Sequence, residues 1–475
     1  MRCSLGAVAV AMLFSPIGFV LPAEAEPLQA GVAKVEVTPP EPAYMAGYGS
    51  RNKLSEGTFD PLHARVLVLD DGGKRLAIVA IDLLWFPSER VPREARERFG
   101  VGLTLLCASH THSGPDYLHS KGWDDPARKD KLLRWTEDRV LDAIATATAN
   151  LFPARLSVAQ GDIALGYHRL VLQPNGRRTP LWRNPERIPI GPVDPRVAVI
   201  RVEDADAGTT RALLVNYACH PVCHGGSNYK FSTDYPGAMA AKVEETLAKG
   251  SEFSLQAGEG DGLKPALRTG TDGLKPALQT GPDGLKPALR TGSPICLFTQ
   301  GGCGSVNPMF QGEKTDPPED QKRAETMGGL LADEVLRALD RARPVSGPDE
   351  IQWRSRTQTF ADRWSTTRTL EIGSATVMLN RAIGIMAIPG EPFLKHQMDF
   401  TRAAPVDFPL FFGYTNGVHA GWPEYIPDIR SAAEGGYGAN QRTLIEVGGG
   451  ERLVNQALVD LFDMKGMFVD TGGKW

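Results

Sequence analysis

Cysteine is scarce in this 475-residue chain: there are six, and Cys3 lies in the opening segment. The others are Cys107, Cys219, Cys223, Cys296 and Cys303. They are too sparse for a disulfide scaffold, and their odd number leaves at least one thiol unpaired. A basic surplus is also missing. Lys and Arg number 52 against 56 Asp and Glu, giving a net charge of −4 and no basic stripe. That excludes the usual nucleic-acid binder, which needs cations for phosphate. Beyond the opening segment no stretch approaches the ~18 uninterrupted apolar residues of a membrane-spanning helix. What remains, 42% hydrophobic and 23% charged, is the composition of a globular protein with a substantial core.

The opening does carry an apolar run. Met1-Arg2 is followed by LGAVAVAMLFSPIGFVL and then PAEAEP. A short basic start, an apolar stretch and an Ala-x-Ala site at Ala23 and Ala25 predict a secretory signal peptide over residues 1–25. Pro16 and Gly18 speak against the alternative, a spanning anchor. The expected location is periplasmic or secreted.

Residues 26–475 are expected to form a single α/β domain. QAGVAKVEVTP alternates like a strand, and ARVLVLDDGGKRLAIVAIDLLWF reads as a hairpin around Asp70-Asp71-Gly72-Gly73. Helical spacing is expected over residues 88–99, 128–150 and 320–341, with another helix in YPGAMAAKVEETLAK. Strands alternate with helices and several hairpins occur, so a mixed β-sheet core with flanking helices is predicted. Three near-copies of DGLKPALRTG begin at Asp261, Asp272 and Asp283. Each carries a proline, two glycines and little to bury, so residues 250–293 are expected to be a flexible surface insertion. Residues 410–440, rich in Gly, Tyr and Pro, read as a long functional loop.

Four apolar strands end in polar groups. GLTLLCASHTH ends on His110 and His112, TRALLVNYACHP on His220, PICLFTQGGCGSVNP on a glycine-rich loop with Asn307, and AIGIMAIPGEPF on Glu391. Ligands of α/β sheets bind outside the carboxyl ends of strands, so these groups are candidates for one site. On an extended segment a His-x-His pair would send both rings to one face. The pair is open to three readings: a metal site, an acid/base pair, or two residues of a solvated loop. Cys219, His220, Cys223 and His224 offer a competing zinc knot, but lack a second cysteine pair at finger spacing. GGCGSVNP is not a nucleophile elbow, because Asn307 stands where Gly-x-Ser-x-Gly needs its second glycine. Its amide and backbone N–H groups could instead face an oxyanion.

Taken together, AGVAKVEVTPP with MAGYGSR, SHTHSGP, NYACHP, GCGSVNP, IPGEPF and the Tyr-rich loop resemble the neutral/alkaline, non-lysosomal ceramidases over roughly residues 29–445. The resemblance implies a zinc amidase whose metal is held by His110, His220, Glu391 and Tyr425. It implies that His112 stands beside the substrate and that Arg169 and Tyr437 contact substrate or water. Tyr437 lies twelve residues after Tyr425, as the family spacing asks. Two departures stand out. Asn307 replaces a serine proposed as catalytic in the ceramidases, and the immunoglobulin-like C-terminal domain of that family is expected to be absent. The expected function is therefore a zinc-dependent hydrolase of ceramide or a related N-acyl compound, acting as a monomer with peripheral membrane contact. The alternatives are a zinc hydrolase of an ester, lactone or small N-acyl substrate, and a non-catalytic metal-binding protein.

Overall fold

A computed structural model describes residues 27–117, 125–257, 293–311, 314, 316–415 and 421–468. The signal-peptide expectation and most of the repeat insertion lie outside these residues. The helix before the insertion runs over Asp234–Ala257, further than the sequence boundary at 250 suggested.

The main sheet is mixed. Across it the strands follow the order Ile295–Gln300, Thr210–Tyr217, Arg196–Asp204, Phe152–Asp162, Gln29–Glu36, His63–Asp70, Arg75–Ile81 and Leu103–Ala108, with Arg343–Pro344 added beside Phe152–Asp162. The pairs Thr210–Tyr217 with Ile295–Gln300 and Arg75–Ile81 with Leu103–Ala108 are parallel, and the others on this path are antiparallel. LTLLCA and ICLFTQ are buried at every position, as apolar strands covered on both faces must be. These two strands are the opposite ends of the sheet path. Yet Gln300 Nε2 donates to Ser109 O at 3.2 Å, so the sheet curls until its edges approach at the site.

Two helix pairs cover the outside of the curl. Arg90–Phe99 and Pro126–Ala149 bury Val91, Leu132, Leu141 and Ile144 against Val66, Val79 and Leu106. Asp234–Ala257 and Pro317–Leu339 bury Met239, Met327 and Leu331 against Val199, Val215 and Phe298. Pro126–Ala149 starts where the sequence tells it to: the Asp125 side chain accepts from Ala127 N at 2.9 Å, with Pro126 in the first turn. A second mixed sheet, Ile351–Ala361, Thr369–Leu379, Ile383–Ala387 and Phe408–Phe412, packs Val377, Ile385 and Leu410 against Leu67, Leu105, Ile200 and Leu297 of the first. Helices Leu394–Ala403 and Gly449–Met464 close its far side through Phe400, Leu453 and Leu461. The expected long loop, residues 410–440, carries short pieces of regular structure among its described residues. These are the end of the strand Phe408–Phe412, the strand Tyr425–Ile426, which pairs with Glu391–Pro392, and the short helix Ile429–Glu434.

Candidate metal centre

His110 lies just beyond the strand Leu103–Ala108. Its backbone N–H donates to Leu83 O at 2.9 Å, which fixes it beside the end of the neighbouring parallel strand. His110 has a φ of 68°, in the left-handed region. The pair His110 and His112 is thus brought together by a turn, not by the pleat of an extended segment as the sequence suggested. The His110 ring places Nδ1 2.9 Å from Leu84 O. That carbonyl can only accept, so Nδ1 carries the proton and Nε2 presents a lone pair.

The His112 turn is held from the N-terminal segment. Arg51 donates to His112 O at 2.6 Å, and the Tyr48 ring packs edge-on against the imidazole at 5.2 Å. Gly47, with φ of 96°, passes so close that a Cβ there would lie 2.5 Å from His112 Nδ1. This explains MAGYGSR physically: only glycine lets the backbone run beneath the ring.

His220 follows the strand Thr210–Tyr217 and repeats the arrangement of His110. Its Nδ1 lies 2.7 Å from Cys303 O, in the glycine-rich loop of the adjacent strand, so Nε2 again faces inward unprotonated. Glu391 arrives from the second sheet. Its N–H donates to Glu424 O at 2.8 Å, and it pairs in parallel register with Tyr425.

These side chains converge. Glu391 Oε2 lies 3.2 Å from His220 Nε2 and 3.3 Å from His110 Nε2. His112 Nε2 stands 3.4 Å from His110 Nε2, and the ligand atoms of the three histidines all lie within 4.8 Å of one another. His110 and His220 are completely buried, whereas His112 is partly open. Burial, followed by the Arg169 charge, pushes His220 down to about 4. Burial and the two neighbouring histidines push His112 well below the ordinary imidazole range. Burial would raise the Glu391 carboxyl, but positive charge on the His110 and His220 side holds it well below the usual carboxylate range, a charge that a cation must supply where the two Nε2 atoms are unprotonated. A carboxylate and several imidazole lone pairs aimed at one buried point repel one another unless a cation lies between them. The donor set therefore fits a metal ion.

The remaining predicted residues form one cluster that reaches this point through Tyr425. Tyr425 is buried, with its ring 6.5 Å from that of His220 and stacked on it. Burial pushes its hydroxyl well up, against the pull of Arg169. Arg169, also buried, donates to Gly304 O at 2.7 Å and to Asn307 Oδ1 at 3.2 Å, and its guanidinium lies over the Tyr425 and Tyr437 rings at 5.3 and 5.6 Å. The guanidinium also hydrogen-bonds the Tyr425 side chain, while among the described residues its Nε has no partner, an open donor in a buried place. Asn307 is turned toward this scaffold, since its Nδ2 donates to Trp182 O at 3.3 Å. Tyr437 is half-buried, 5.5 Å from the Tyr425 ring. The Cys/His alternative does not assemble. Cys219 and Cys223 are buried thiols that burial pushes well up, and His224 Nε2 turns away to Gln321 Oε1 at 3.0 Å.

Sequence reasoning missed three contributors. Tyr414 packs its ring 4.1 Å from that of His110 and holds a left-handed φ of 55°. Cys303 supplies the carbonyl behind His220 while its thiol is bonded to Tyr414. Trp182 stands over Arg169 and Tyr437 at 5.6 and 4.9 Å. Tyr414 had one signal, its place just after an apolar strand; Trp182 had none.

Comparison with known proteins agrees with this architecture. The fold is similar to the crystal structure of the neutral ceramidase from Pseudomonas aeruginosa, with a TM-score of 0.69 at 16% identity over 94% of this chain and 76% of that one. A ceramidase complexed with C2 aligns with a TM-score of 0.68 at 15% identity, over 94% and 76% of the two chains. At that identity the likeness speaks for the fold. In sequence, 224 residues are 24% identical to the neutral ceramidase of Mycobacterium tuberculosis (strain ATCC 25618 / H37Rv), covering 43% of this chain and only 33% of that relative. The model of the neutral/alkaline non-lysosomal ceramidase N-terminal region matches residues 28–330, and the chain belongs to that family.

Proposed function

We propose that this protein is a zinc-dependent hydrolase that cleaves the amide bond of an N-acylated lipid, with ceramide the first candidate. The observation that carries the proposal is the meeting of His110, His220 and Glu391 at one buried point, with Tyr425 and Arg169 beside it. His110, His220, Glu391 and Tyr425 would hold the zinc, which when bound supplies a water activated near neutral pH and a Lewis acid for the carbonyl. His112, the partly open histidine, carries a proton to the leaving amine. Burial and the two neighbouring histidines favour its neutral form, so a proton it takes up is held weakly and passed on readily. The unpartnered Nε–H of Arg169 and the Tyr437 hydroxyl orient the carbonyl and stabilise the charge that develops on its oxygen. The signal-like opening supports export.

One observation favours a second reading, in which the substrate is an ester, lactone or small N-acyl compound. The Asn307 side chain is spent on Arg169 and Trp182, so the position offers no nucleophile. A panel assay separates the two. Purified, zinc-loaded protein is offered short-chain ceramide, other N-acyl amides, simple esters and lactones. Highest kcat/KM on ceramide supports the first reading. Hydrolysis of esters or lactones alone would replace it with the second.

A further inference from the structure

The segment around Arg169 has a property that the chemistry does not use. Residues 166–192 leave the main fold as one compact excursion. It is built from the small hairpin Leu170–Leu172 with Arg178–Pro180 and from a turn tied by Asn184, whose Oδ1 accepts from Ile188 N at 3.0 Å. The excursion returns to its own base, where His168 N donates to Ile190 O at 2.7 Å. Three large apolar side chains on it face solvent: Leu172 at 46%, Trp182 at 46% and Ile188 at 50% exposure. Such exposure within one short segment is unusual for a face that meets only water. The same segment carries Arg177, Arg178, Arg183 and Arg187 against the single acid Glu186, in a chain whose overall charge is negative. Arg178 is ion-paired with Glu434, and Arg177 and Arg187 are exposed.

Apolar side chains interleaved with arginines on one surface have the chemistry of an interfacial anchor. The apolar groups enter the acyl boundary while the guanidinium groups meet anionic headgroups. Tryptophan in particular suits that boundary, with an apolar ring and one polar N–H. Position adds to chemistry. Trp182 packs on Tyr437 and lies beside Arg169, so the excursion borders the residues that flank the candidate metal centre. A surface that docked there would deliver a membrane-resident molecule directly to the site.

We infer that residues 166–192 dock the protein on a bilayer bearing anionic lipids, with Leu172, Trp182 and Ile188 inserted and Arg177 and Arg187 on the headgroups. The inference builds on the lipid reading above, but its test does not need turnover. Full-length protein is sedimented with vesicles of phosphatidylcholine, with and without phosphatidylglycerol. Wild type should bind the anionic vesicles, and high salt should release it. Leu172→Ser/Ile188→Ser and Arg177→Gln/Arg187→Gln should each weaken binding by ~10-fold or more. Both should keep the wild-type rate on a substrate free in solution, since none of these four residues touches the metal centre. Absence of wild-type binding, or equal binding by both double variants, would overturn the inference. Vesicle binding without hydrolysis of any N-acyl lipid would instead sink the proposed function and leave the docking face standing.

Discussion

Tyr414 Oη and Cys303 Sγ, 111 residues apart in sequence, are hydrogen-bonded at 3.0 Å behind the candidate metal centre. The bond joins the supports of two candidate ligands. The Tyr414 ring backs His110, and the Cys303 carbonyl fixes the tautomer of His220. Groups behind a ligand govern its aim, and their loss commonly costs ~10–100-fold in metal affinity. Tyr414→Leu, which removes the ring, should therefore weaken zinc binding by at least ~10-fold. Tyr414→Phe keeps the ring and should stay within a few-fold of wild type. Competition with a chromophoric chelator reads both. Equal affinities for the two variants would show that the ring does not position His110.

Gly47→Ala tests the close approach beneath His112. The new Cβ would fall on the imidazole, and alanine is disfavoured at a φ of 96°. A cost of ~1–3 kcal/mol in stability is expected from strain and overpacking. The reaction rate should fall further than stability explains, because His112 must shift. Denaturant unfolding and steady-state kinetics on the same preparation check this. Wild-type kinetics would mean that the His112 ring position does not matter to turnover.

Asn307→Ser separates orientation from nucleophilic chemistry. Serine cannot span from Arg169 to Trp182 as the amide does, so Arg169 loses one hydrogen bond. A change of ~10-fold or less is expected from the loss of one bond of ~1 kcal/mol. A ceramidase activity weak in wild type would rise if serine restores the chemistry of the ceramidase loop. A loss of several orders of magnitude on every substrate would make Asn307 itself catalytic.

Deleting residues 259–291 should leave zinc content and activity close to wild type. The repeats hold little apolar surface, and changing the length of a surface loop costs only ~0.6 kcal/mol per doubling. The preceding helix runs to Ala257, so the cut belongs after it. Collapse of folding, seen by circular dichroism and gel filtration, would show that the insertion packs on the domain.

The alternation of apolar strands and amphipathic helices made the α/β class legible, and polar groups at strand ends marked His110, His220 and Glu391. Each of these follows a buried run whose end is visible in the residues themselves. Three features were not legible, for physical reasons. The left-handed turn at His110 depends on tertiary bonds to Leu83 and Leu84, not on local propensity. The approach of the sheet edges, seen in Gln300 and Ser109, is set by strand order and twist. Tyr414 and Cys303 act through one another across the fold, and no spacing in the chain announces such a pair. The family resemblance located Tyr425, Arg169 and Tyr437; the structure brings them to the same place, with Asn307 turned to hold Arg169.

We propose a metal-dependent amide hydrolase built on His110, His220 and Glu391. Its most direct test is fatty-acid release from short-chain ceramide by protein stripped with a chelator and then titrated with zinc, beside Glu391→Gln treated identically. Stripping should abolish release and about one zinc per chain should restore it in wild type, while the variant should recover little at that loading. Full activity in the stripped protein, or full recovery by Glu391→Gln, would contradict it.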